Sequence, residues 1–482
     1  MDRAEAERIY DLGKEAVISK LIGLSSEVEL LKQIIVSLED RIQKLENMLS
    51  KDSHNSSKPP SSDGLKKPKL KTVSLRKKSG KKSGGQKGHK GHTLKQSDNS
   101  DHVVPLKVIS CPCCADLSNE PVIGYEKRQV FDLPEPELEV TEYQGEIKNC
   151  PKCGQLVKAS FPEAVNTPVQ YGERFRAILV YMQNQHFIPS NRLSQMMNDL
   201  YSAPVSEATI YDASKRIFEK LAPFESSVVD ALNDSTVLHV DESGVRAVNK
   251  LHWLHSASTD SLTFYGVHEK RGNEAMDHFN ILPNFKGRLI HDFWKPYLSY
   301  DCDHGLCNAH HLRELTFLFE QQKQNWAKKM FDLLMDMNNY VTEQHNQLTP
   351  EQKEPWLEKY LKILSEGWQE NPLPKKPPKK KKRGRIPKTK SQNLLIRLGN
   401  YESWVLAFLH DINVPFTNNL GEQDIRMIKV RLKISGCFRT LVGAERFARI
   451  RSYLSSARKQ ERNILNSITD AIRGKPFMPA TS

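Results

Sequence analysis

The sequence has no stretch of about 18 or more uncharged apolar residues, the length that a membrane-spanning helix needs. It also lacks the apolar core of a secretory signal near its start, where residues 1–16 are charged throughout. These two absences argue against a membrane protein and predict a cytoplasmic one. The eight cysteines are then expected to be reduced thiols or metal ligands rather than disulfides.

Acidic residues are scarce in two segments, which gives the chain its basic character. Lys plus Arg total 71 and Asp plus Glu total 58, so the net charge is +13. The segment from Lys51 to Ser100 has 14 basic residues against 3 Asp, and the run from Lys375 to Lys390 has 10 basic residues and no acid. With few apolar groups, the first segment is predicted to be a flexible arm. A solvated linker is the alternative, but so many cations favour contact with phosphates.

A heptad pattern runs through residues 17–49 and predicts a coiled coil. Two sets of apolar residues interlock at spacings of three and four and place one seam along a helix. The seam consists of Leu21, Leu24, Val28, Leu31, Ile35, Leu38, Ile42, Leu45 and Leu49. Four unbroken heptads favour a homodimer over an amphipathic helix docked on its own domain.

Two cysteine pairs predict a structural zinc site. Cys111 with Cys114 and Cys150 with Cys153 form two CxxC motifs. Together they can complete a tetrahedral site of four sulfur ligands. A redox CxxC is the competing interpretation, but that motif normally occurs in a thioredoxin-like unit, of which there is no sign nearby. Cys113 leaves the first pair ambiguous, because it can replace Cys114.

The remaining sequence divides into a helical part and a mixed part. Residues 171–222 show short helical patterns joined by tight turns, which fit a helix-turn-helix reader of DNA or a plain helical connector. Strands are predicted at residues 236–240, 251–255, 262–267 and 288–291, with a helix at 274–279. This order predicts a mixed α/β sheet. Residues 308–369 and 394–472 are predicted to be mainly helical.

Asp241 and Asp292 are each predicted at the end of a strand, where an acid can face an active site. Two such acids can share metal ions. Two ions about 4 Å apart can stabilise both the attacking and the leaving oxygen of a phosphoryl displacement. Capping of the following turn is the alternative role for either acid.

Glu422 follows Asn419 by three residues, the spacing of a capping box, so a purely structural role is one interpretation. On a helix, Glu422 shares a face with Arg426, Lys429 and Lys433. A salt-bridged surface would have the same pattern as a carboxylate beside a row of DNA-binding cations. The residues alone do not distinguish a structural surface of this kind from a catalytic carboxylate beside DNA-binding cations.

The order of these motifs resembles that of insertion-sequence-66 type transposases. Besides the paired CxxC motifs, the similar stretches are Asn55–Asp63, Gly84–His92, ValAspGluSerGly around Asp241, the run Cys307-Asn-Ala-His310-His-Leu-Arg313, and AsnAsnLeuGlyGluGlnAspIleArg around Glu422. The similarity extends from the heptads to about Arg458. The first cysteine motif departs from the family pattern by lacking a Gly after its second Cys, and the residues around Asp292 are a variant of it.

This resemblance implies a DDE-type transposase of a bacterial insertion sequence with an RNase H-like core. It implies that Asp241, Asp292 and Glu422 are the catalytic acids and hold two Mg²⁺ (or Mn²⁺) ions. The enzyme would cut DNA at the element's terminal inverted repeats and join the ends to target DNA. Cys307 and His310 are implied to lie near the active site, without an assigned role. Small accessory proteins of the same element are further expected partners.

The chain is therefore predicted to be multidomain and to act at the bacterial nucleoid. The expected parts are a coiled-coil dimerisation helix (1–50), a basic DNA-contacting arm with Lys81, Lys82 and Lys87 (51–102), a zinc-binding module (103–162), a helical DNA-binding region (163–230), an α/β catalytic domain (231–460) with a helical insertion at about 308–400, and a tail (461–482). The alternatives are an inactive relic that only binds DNA, and a nuclease that cuts without joining.

Overall fold

Helices dominate the described chain, which in the computed structural model comprises residues 3–49, 94–344, 347–373 and 388–479. The helices are α1 (Arg3–Asp11), α2 (Lys14–Leu49), α3 (Glu173–Val180), α4 (Ser190–Tyr201), α5 (Glu207–Lys220), α6 (Ala222–Asn233), α7 (Asn273–His278), α8 (Asn308–Gln322), α9 (Asn325–Glu343), α10 (Pro350–Glu370), α11 (Lys390–Asn400), α12 (Glu402–Val405), α13 (Ala407–His410), α14 (Asn419–Ser435), α15 (Leu441–Lys459) and α16 (Ile464–Ile472). The strands are β1 (Ile147–Asn149), β2 (Leu156–Lys158), β3 (Val237–Ala247), β4 (Lys250–Ser258), β5 (Thr263–His268), β6 (Arg288–His291) and β7 (Asp303–Leu306). None of the described helices is both long and apolar enough to span a bilayer.

The two basic runs of the sequence lie mainly outside the described residues. Lys81, Lys82 and Lys87 of the predicted arm fall in the gap 50–93, and most of the second run falls in the gap 374–387. The arm and its three lysines therefore stay predictions.

The described residues form two compact units. The smaller comprises residues 94–168 and Ser194–Val205, and it contains the antiparallel pair of β1 and β2. The larger comprises residues 3–49, Val169–Leu193 and 206–479 with its gaps, and it contains a five-stranded sheet.

The five-stranded sheet has the order β5-β4-β3-β6-β7. β3, β4 and β5 are antiparallel neighbours, whereas β6 pairs in parallel with β3, and β7 in parallel with β6. All four strands predicted from the sequence are present, and the predicted mixed α/β sheet is confirmed.

Two strands differ from the prediction. β3 continues to Ala247, so the prediction that Asp241 ends a strand is wrong. The extension forms a hairpin with β4, and both turn residues, Val248 and Asn249, have positive φ. Such two-residue turns match the twist of the flanking strands. β7 has no counterpart among the predicted strands. Its Gly305 allows close packing, since a Cβ there would lie 2.6 Å from Ile290 Cδ1.

Helix α15 covers the edge strand β5. The Oγ atoms of Ser452 and Ser456, one helical turn apart, accept hydrogen bonds from the backbone N–H groups of Tyr265 (2.8 Å) and Thr263 (2.9 Å). Unpaired N–H groups at a sheet edge favour unwanted association, and the two serines prevent this. The core between the sheet and helices α14 and α15 includes Val245, Leu254, Ile425, Ile428 and Phe447.

The segment between β7 and α14 is mainly helical, as predicted. Helices α8 to α13 contribute to an apolar core that contains the fully buried Trp326. Gly367 of α10 lies against this indole, because a Cβ there would lie 2.9 Å from Trp326 Cδ2. Leu306 of β7 belongs to the same core, so the helical segment is packed onto the sheet.

Gly287 sets the position of β6 beside β3, and its replacement should destabilise the fold. A Cβ there would lie 2.5 Å from the carbonyl oxygen of Ser235 and 2.6 Å from that of Thr236, and backbone atoms cannot rotate away. We expect Gly287→Ala to lower the free energy of unfolding by about 2–3 kcal/mol, the range of overpacked sites. Urea denaturation measures this loss.

Gly399→Ala is the matched control, because a Cβ at this helical position meets nothing within 4 Å. It should leave stability unchanged or raise it by up to about 1 kcal/mol. Equal effects of the two substitutions would contradict the role given to Gly287.

Candidate active site

Asp241 and Asp292 lie on neighbouring parallel strands. The pairing of β3 with β6 ends at His239 and Ile290, and each acid follows two residues later. Asp292 directly follows β6, as predicted. Its Oδ1 accepts a hydrogen bond from the backbone N–H of Trp294 (2.9 Å), so Asp292 does cap the following turn. This bond occupies one carboxylate oxygen and leaves the acid able to bind a cation through the other.

The carboxyl group of Asp241 is part of a cluster of mutually repelling charges. Burial, and then repulsion from Glu242, raises the pKa of Asp241 to about 7. The charges of Asp292 and Glu422 raise it as well, whereas a hydrogen bond from the backbone N–H of Glu242 (2.8 Å) to Oδ1 opposes the shift. The three predicted acids are thus close enough to interact electrostatically. A divalent cation among them would relieve their repulsion, so this donor set fits Mg²⁺.

Glu422 lies in the first turns of α14, and its carboxylate does not cap the helix. The N-cap is Asn418 rather than Asn419, and no side chain caps this end. The capping-box interpretation is therefore wrong. At the first turn of the helix, Glu422 contributes its backbone N–H, which donates a hydrogen bond to the carbonyl of Asn418 (3.1 Å).

Asn418 fixes the start of α14 against the sheet. Its Oδ1 accepts from Nδ1 of His239 (2.8 Å), and its Nδ2 donates to the carbonyl of Val240 (2.8 Å). Its backbone N–H donates to Sγ of Cys307 (3.2 Å). Gly421 makes room for this side chain, since a Cβ there would lie 2.9 Å from Asn418 Oδ1. These bonds hold the helix of Glu422 beside the strand of Asp241.

Glu242 is a site residue that the sequence interpretation missed. Its side chain is only 2% exposed and forms a salt bridge with Arg271 (2.5 Å). It also accepts a hydrogen bond from the hydroxyl of Tyr297. Burial raises the pKa of Glu242, and these two partners oppose that shift. The guanidinium of Arg271 lies against the indole of Trp294, 4.1 Å from its centre. The one available signal was that Glu242 directly follows Asp241.

Cys307 and His310 lie beside Glu422. One ligand atom of each of the three residues can be chosen so that all lie within 4.8 Å of one another, and this is the only such group of three in the described chain. Asp241 and Asp292 do not belong to this group. Cys307 is buried at the N-cap of α8, and burial raises the pKa of its thiol to about 11. Burial lowers the pKa of His310.

Each cysteine pair of the smaller unit forms a tight turn. In the second pair, Gly154 has a φ of 72°, and its N–H donates to the carbonyl of Cys150 (2.8 Å). In the first, Cys114 takes the corresponding conformation with a φ of 70°, while the side chain of Cys113 contacts that of Cys111. No three of these described cysteines have sulfur atoms that all lie within 4.8 Å of one another.

The cations predicted on α14 are exposed, and a cleft that the sequence interpretation missed opens further along the same helix. Arg426, Lys429 and Lys433 face solvent. The cleft, of about 560 Å³, lies between the segment 183–191, helix α5, and the residues from Arg431 to Phe447. Two of its arginines stack on aromatic rings: Arg431 lies 3.7 Å from the ring centre of Phe438, and Arg446 lies 4.1 Å from that of Tyr211.

Both cleft arginines retain donor capacity. Nη1 of Arg431 and Nε of Arg446 are buried without a hydrogen-bond partner among the described residues. Burial lowers the pKa of Arg431 to about 10, which still leaves it charged at neutral pH. The cleft is therefore lined by two guanidinium groups whose hydrogen-bond donors are not all used.

The raised pKa of Asp241 predicts a pH-dependent cost in the absence of Mg²⁺. The folded protein keeps this proton up to about pH 7, whereas the unfolded chain loses it near 3.8. Stability should therefore fall as pH rises between those values. Asp241→Asn removes the charge, so the variant should be more stable than the parent at pH 8, on the order of 2–4 kcal/mol, and about equal to it at pH 4.

Denaturant unfolding at several pH values in Mg²⁺-free buffer measures this difference. Asp301→Asn is the control, because the Asp301 side chain is fully exposed and should give a small effect at every pH. A difference between Asp241→Asn and the parent that does not grow with pH would contradict the charge cluster.

Three family models match the chain. The Transposase IS66 family matches residues 168–446, and the zinc-finger binding domain of transposase IS66 matches residues 109–154. A family of unknown function matches residues 6–95. No curated protein matches the chain.

Proposed function

We propose a mechanism of DNA cleavage and joining for this chain, which belongs to the IS66 family of transposases because that family's model matches more than half of its length. The resemblance predicted from the sequence is confirmed, and with it a transposase of an insertion sequence with a zinc-binding domain.

The catalytic residues that we propose are Asp241, Asp292 and Glu422. The observation that carries the proposal is geometric: Asp241 and Asp292 each stand two residues beyond the last paired residues of the parallel strands β3 and β6, and Asn418 bonds the start of Glu422's helix to β3. Half-buried like charges repel one another and would destabilise the fold without a counter-ion, and the raised pKa of Asp241 reflects that repulsion. The five-stranded mixed sheet with its helical insertion supports an RNase H-like core. The domain boundaries given from the sequence stay predictions.

Two Mg²⁺ (or Mn²⁺) ions, when bound, would activate the attacking oxygen and stabilise the leaving oxygen of the phosphodiester. The protein's own contribution is to hold the reacting groups in place. Asp241 and Asp292 offer carboxylates from two strands of one rigid sheet, and Asn418 keeps Glu422 at a fixed distance from them. Arg271 and Tyr297 hold the carboxylate of Glu242, so that this fourth acid stays oriented beside Asp241.

DNA is the proposed substrate, in the form of the element's terminal inverted repeats and a target. The arginines of the cleft support contact with a nucleic-acid strand, since stacked guanidinium groups with spare donors suit phosphates. Arg426, Lys429 and Lys433 are exposed on the face of α14 that carries Glu422, and they would extend the basic surface beside the acids. The predicted arm with Lys81, Lys82 and Lys87 would add contacts that do not depend on DNA sequence.

The zinc module would present DNA-contacting residues rather than take part in the reaction. The proposed ligands are Cys111, Cys150 and Cys153 with either Cys113 or Cys114. The contact between Cys111 and Cys113 supports Cys113. A backbone N–H of Ala115 lowers the pKa of Cys113, and one of Cys153 lowers that of Cys150, which favours the thiolates that zinc requires.

A homodimer through α2 is also proposed. The apolar seam of this helix is exposed, with Leu21 60%, Ile35 53% and Leu45 55% accessible. A second copy of the same helix would bury that seam by coiled-coil packing. Accessory proteins of the same element are a further proposed partner.

Cleavage is tested with purified protein, Mg²⁺ and labelled DNA that carries the inverted repeats flanking the gene. We expect nicking at the repeat ends and joining to a target, because the acids position metal at the phosphodiester. Asp241→Asn, Asp292→Asn and Glu422→Gln should each reduce cleavage by roughly 100-fold or more, a loss comparable to that of one strong transition-state contact.

Glu219→Gln is the matched control for Glu422→Gln, since Glu219 is an exposed glutamate of α5 that belongs neither to the proposed acids nor to the cleft. Cleavage by the Asp241→Asn variant at the rate of the parent would contradict the assignment of Asp241 as a catalytic acid. Cleavage without joined product would favour the nuclease, and DNA binding without any cleavage would favour the inactive relic.

The cleft is tested by DNA-binding titrations at several salt concentrations. Arg446→Gln and Arg431→Gln should each weaken binding and lower the salt slope by about one, as expected for loss of one phosphate contact. Lys215→Gln is the control, because Lys215 is an exposed cation on α5 that does not line the cleft. Unchanged salt slopes in both arginine variants would exclude the cleft as a phosphate-binding surface.

A further inference from the structure

Three different donor types meet beside the proposed catalytic acids. The sulfur of Cys307, a ring nitrogen of His310 and a carboxylate oxygen of Glu422 can lie within 4.8 Å of one another. Cys307 and His310 stand at the start of α8, and Glu422 stands at the start of α14. We propose that these three residues form a second metal site, of the zinc type, which withdraws Glu422 from the catalytic Mg²⁺.

The donor set selects the metal. Zinc takes thiolate, imidazole and carboxylate ligands in tetrahedral sites, and three protein ligands leave one position for water or another ligand. Mg²⁺ prefers oxygen ligands in octahedral geometry, so a thiolate and an imidazole disfavour it. Asp241, Asp292 and Glu422 therefore suit Mg²⁺, whereas Cys307, His310 and Glu422 suit Zn²⁺.

Two buried groups of this cluster favour a ligand. Nδ1 of His310 is buried without a hydrogen-bond partner among the described residues, although buried polar atoms are nearly always paired. The sulfur of Cys307 accepts a hydrogen bond from the backbone N–H of Asn418 (3.2 Å), which orients it and stabilises negative charge on it.

Zinc binding at this site balances charge. The thiol of Cys307 loses its proton to solvent as the zinc–sulfur bond forms, and the nitrogen and oxygen ligands add their lone pairs. One thiolate and one carboxylate then neutralise the two positive charges of the ion. Because Glu422 belongs to both donor sets, occupancy of the zinc site would inhibit catalysis. This consequence rests on the function proposed above, but metal binding itself does not.

Binding is tested with full-length protein that has received one equivalent of Zn²⁺, which the zinc module with its four thiolates takes before a site with three protein ligands. Co²⁺ is then added, since it binds such ligands more weakly than Zn²⁺ and does not displace the structural ion. We expect one further Co²⁺ per chain, with the near-ultraviolet absorption of a thiolate–cobalt bond. Cys307→Ser should abolish that absorption, and His310→Asn should weaken Co²⁺ binding by roughly 10-fold or more.

Cys437→Ser is the matched control, because Cys437 is a half-buried free cysteine away from this cluster, and it should keep the absorption. Circular dichroism checks that each variant is folded. If Cys307→Ser does not fold, the Co²⁺ affinity of His310→Asn decides whether the site exists: weaker binding supports it, and unchanged binding contradicts it. Absence of the thiolate absorption in the parent, or its persistence in Cys307→Ser, would overturn the proposal.

Inhibition is tested separately by the cleavage assay. A low Zn²⁺ concentration should suppress Mg²⁺-dependent cleavage by the parent, and roughly 10-fold more Zn²⁺ should be needed for His310→Asn. Equal Zn²⁺ sensitivity of the two proteins would refute the inhibitory role. If the parent shows no cleavage at all, the proposed function fails, while the Co²⁺ absorption still decides whether the metal site exists.

Discussion

The hydrogen bonds of Asn418 are the constraint on which the rest of the site depends. Glu422 is far in sequence from Asp241 and Asp292, on a helix rather than a strand, so nothing local brings the three acids together. Asn418 makes that connection by bonding His239 and Val240 of β3 with its side chain and Cys307 with its backbone. Such a buried amide cannot move without losing several bonds at once, which fixes the start of α14 firmly.

Acidic side chains that lie close together repel one another and destabilise the folded protein, and the neighbouring side chains offset this repulsion only in part. Arg271 and Tyr297 neutralise and orient Glu242, but Asp241 keeps a pKa of about 7. The packing around the sheet has to offset the remaining repulsion among the acids. Ser452 and Ser456 satisfy the edge of β5, and the apolar core of β3, α14 and α15 holds the helix against the strands. The unrelieved charge repulsion is thus confined to the place where a cation would be bound.

The sequence predicted the elements with strong local patterns and missed those that depend on tertiary contacts. β6 was predicted correctly because an apolar run ends at Asp292. The second half of β3 was missed because polar residues follow Asp241, and only pairing with β4 makes them a strand. Asn419 was taken as the N-cap from its spacing to Glu422, whereas the partners of Asn418 decide the cap. The cleft combines segments near residues 187, 211 and 438, which no sequence window contains.

Helix α14 connects the proposed chemistry to the proposed DNA contact. Glu422 and Arg431 are nine residues apart on one unbroken helix, which corresponds to about 13 Å along its axis. At about 3.6 residues per turn, nine residues make two and a half turns, so the two side chains leave α14 on opposite faces. A phosphate held by Arg431 would therefore be separated from the phosphodiester at the acids by the width of the helix as well as by this length. Because a packed helix does not stretch, the helix that brings Glu422 to the metal would also keep the cleft contact at a fixed distance from the reacting bond.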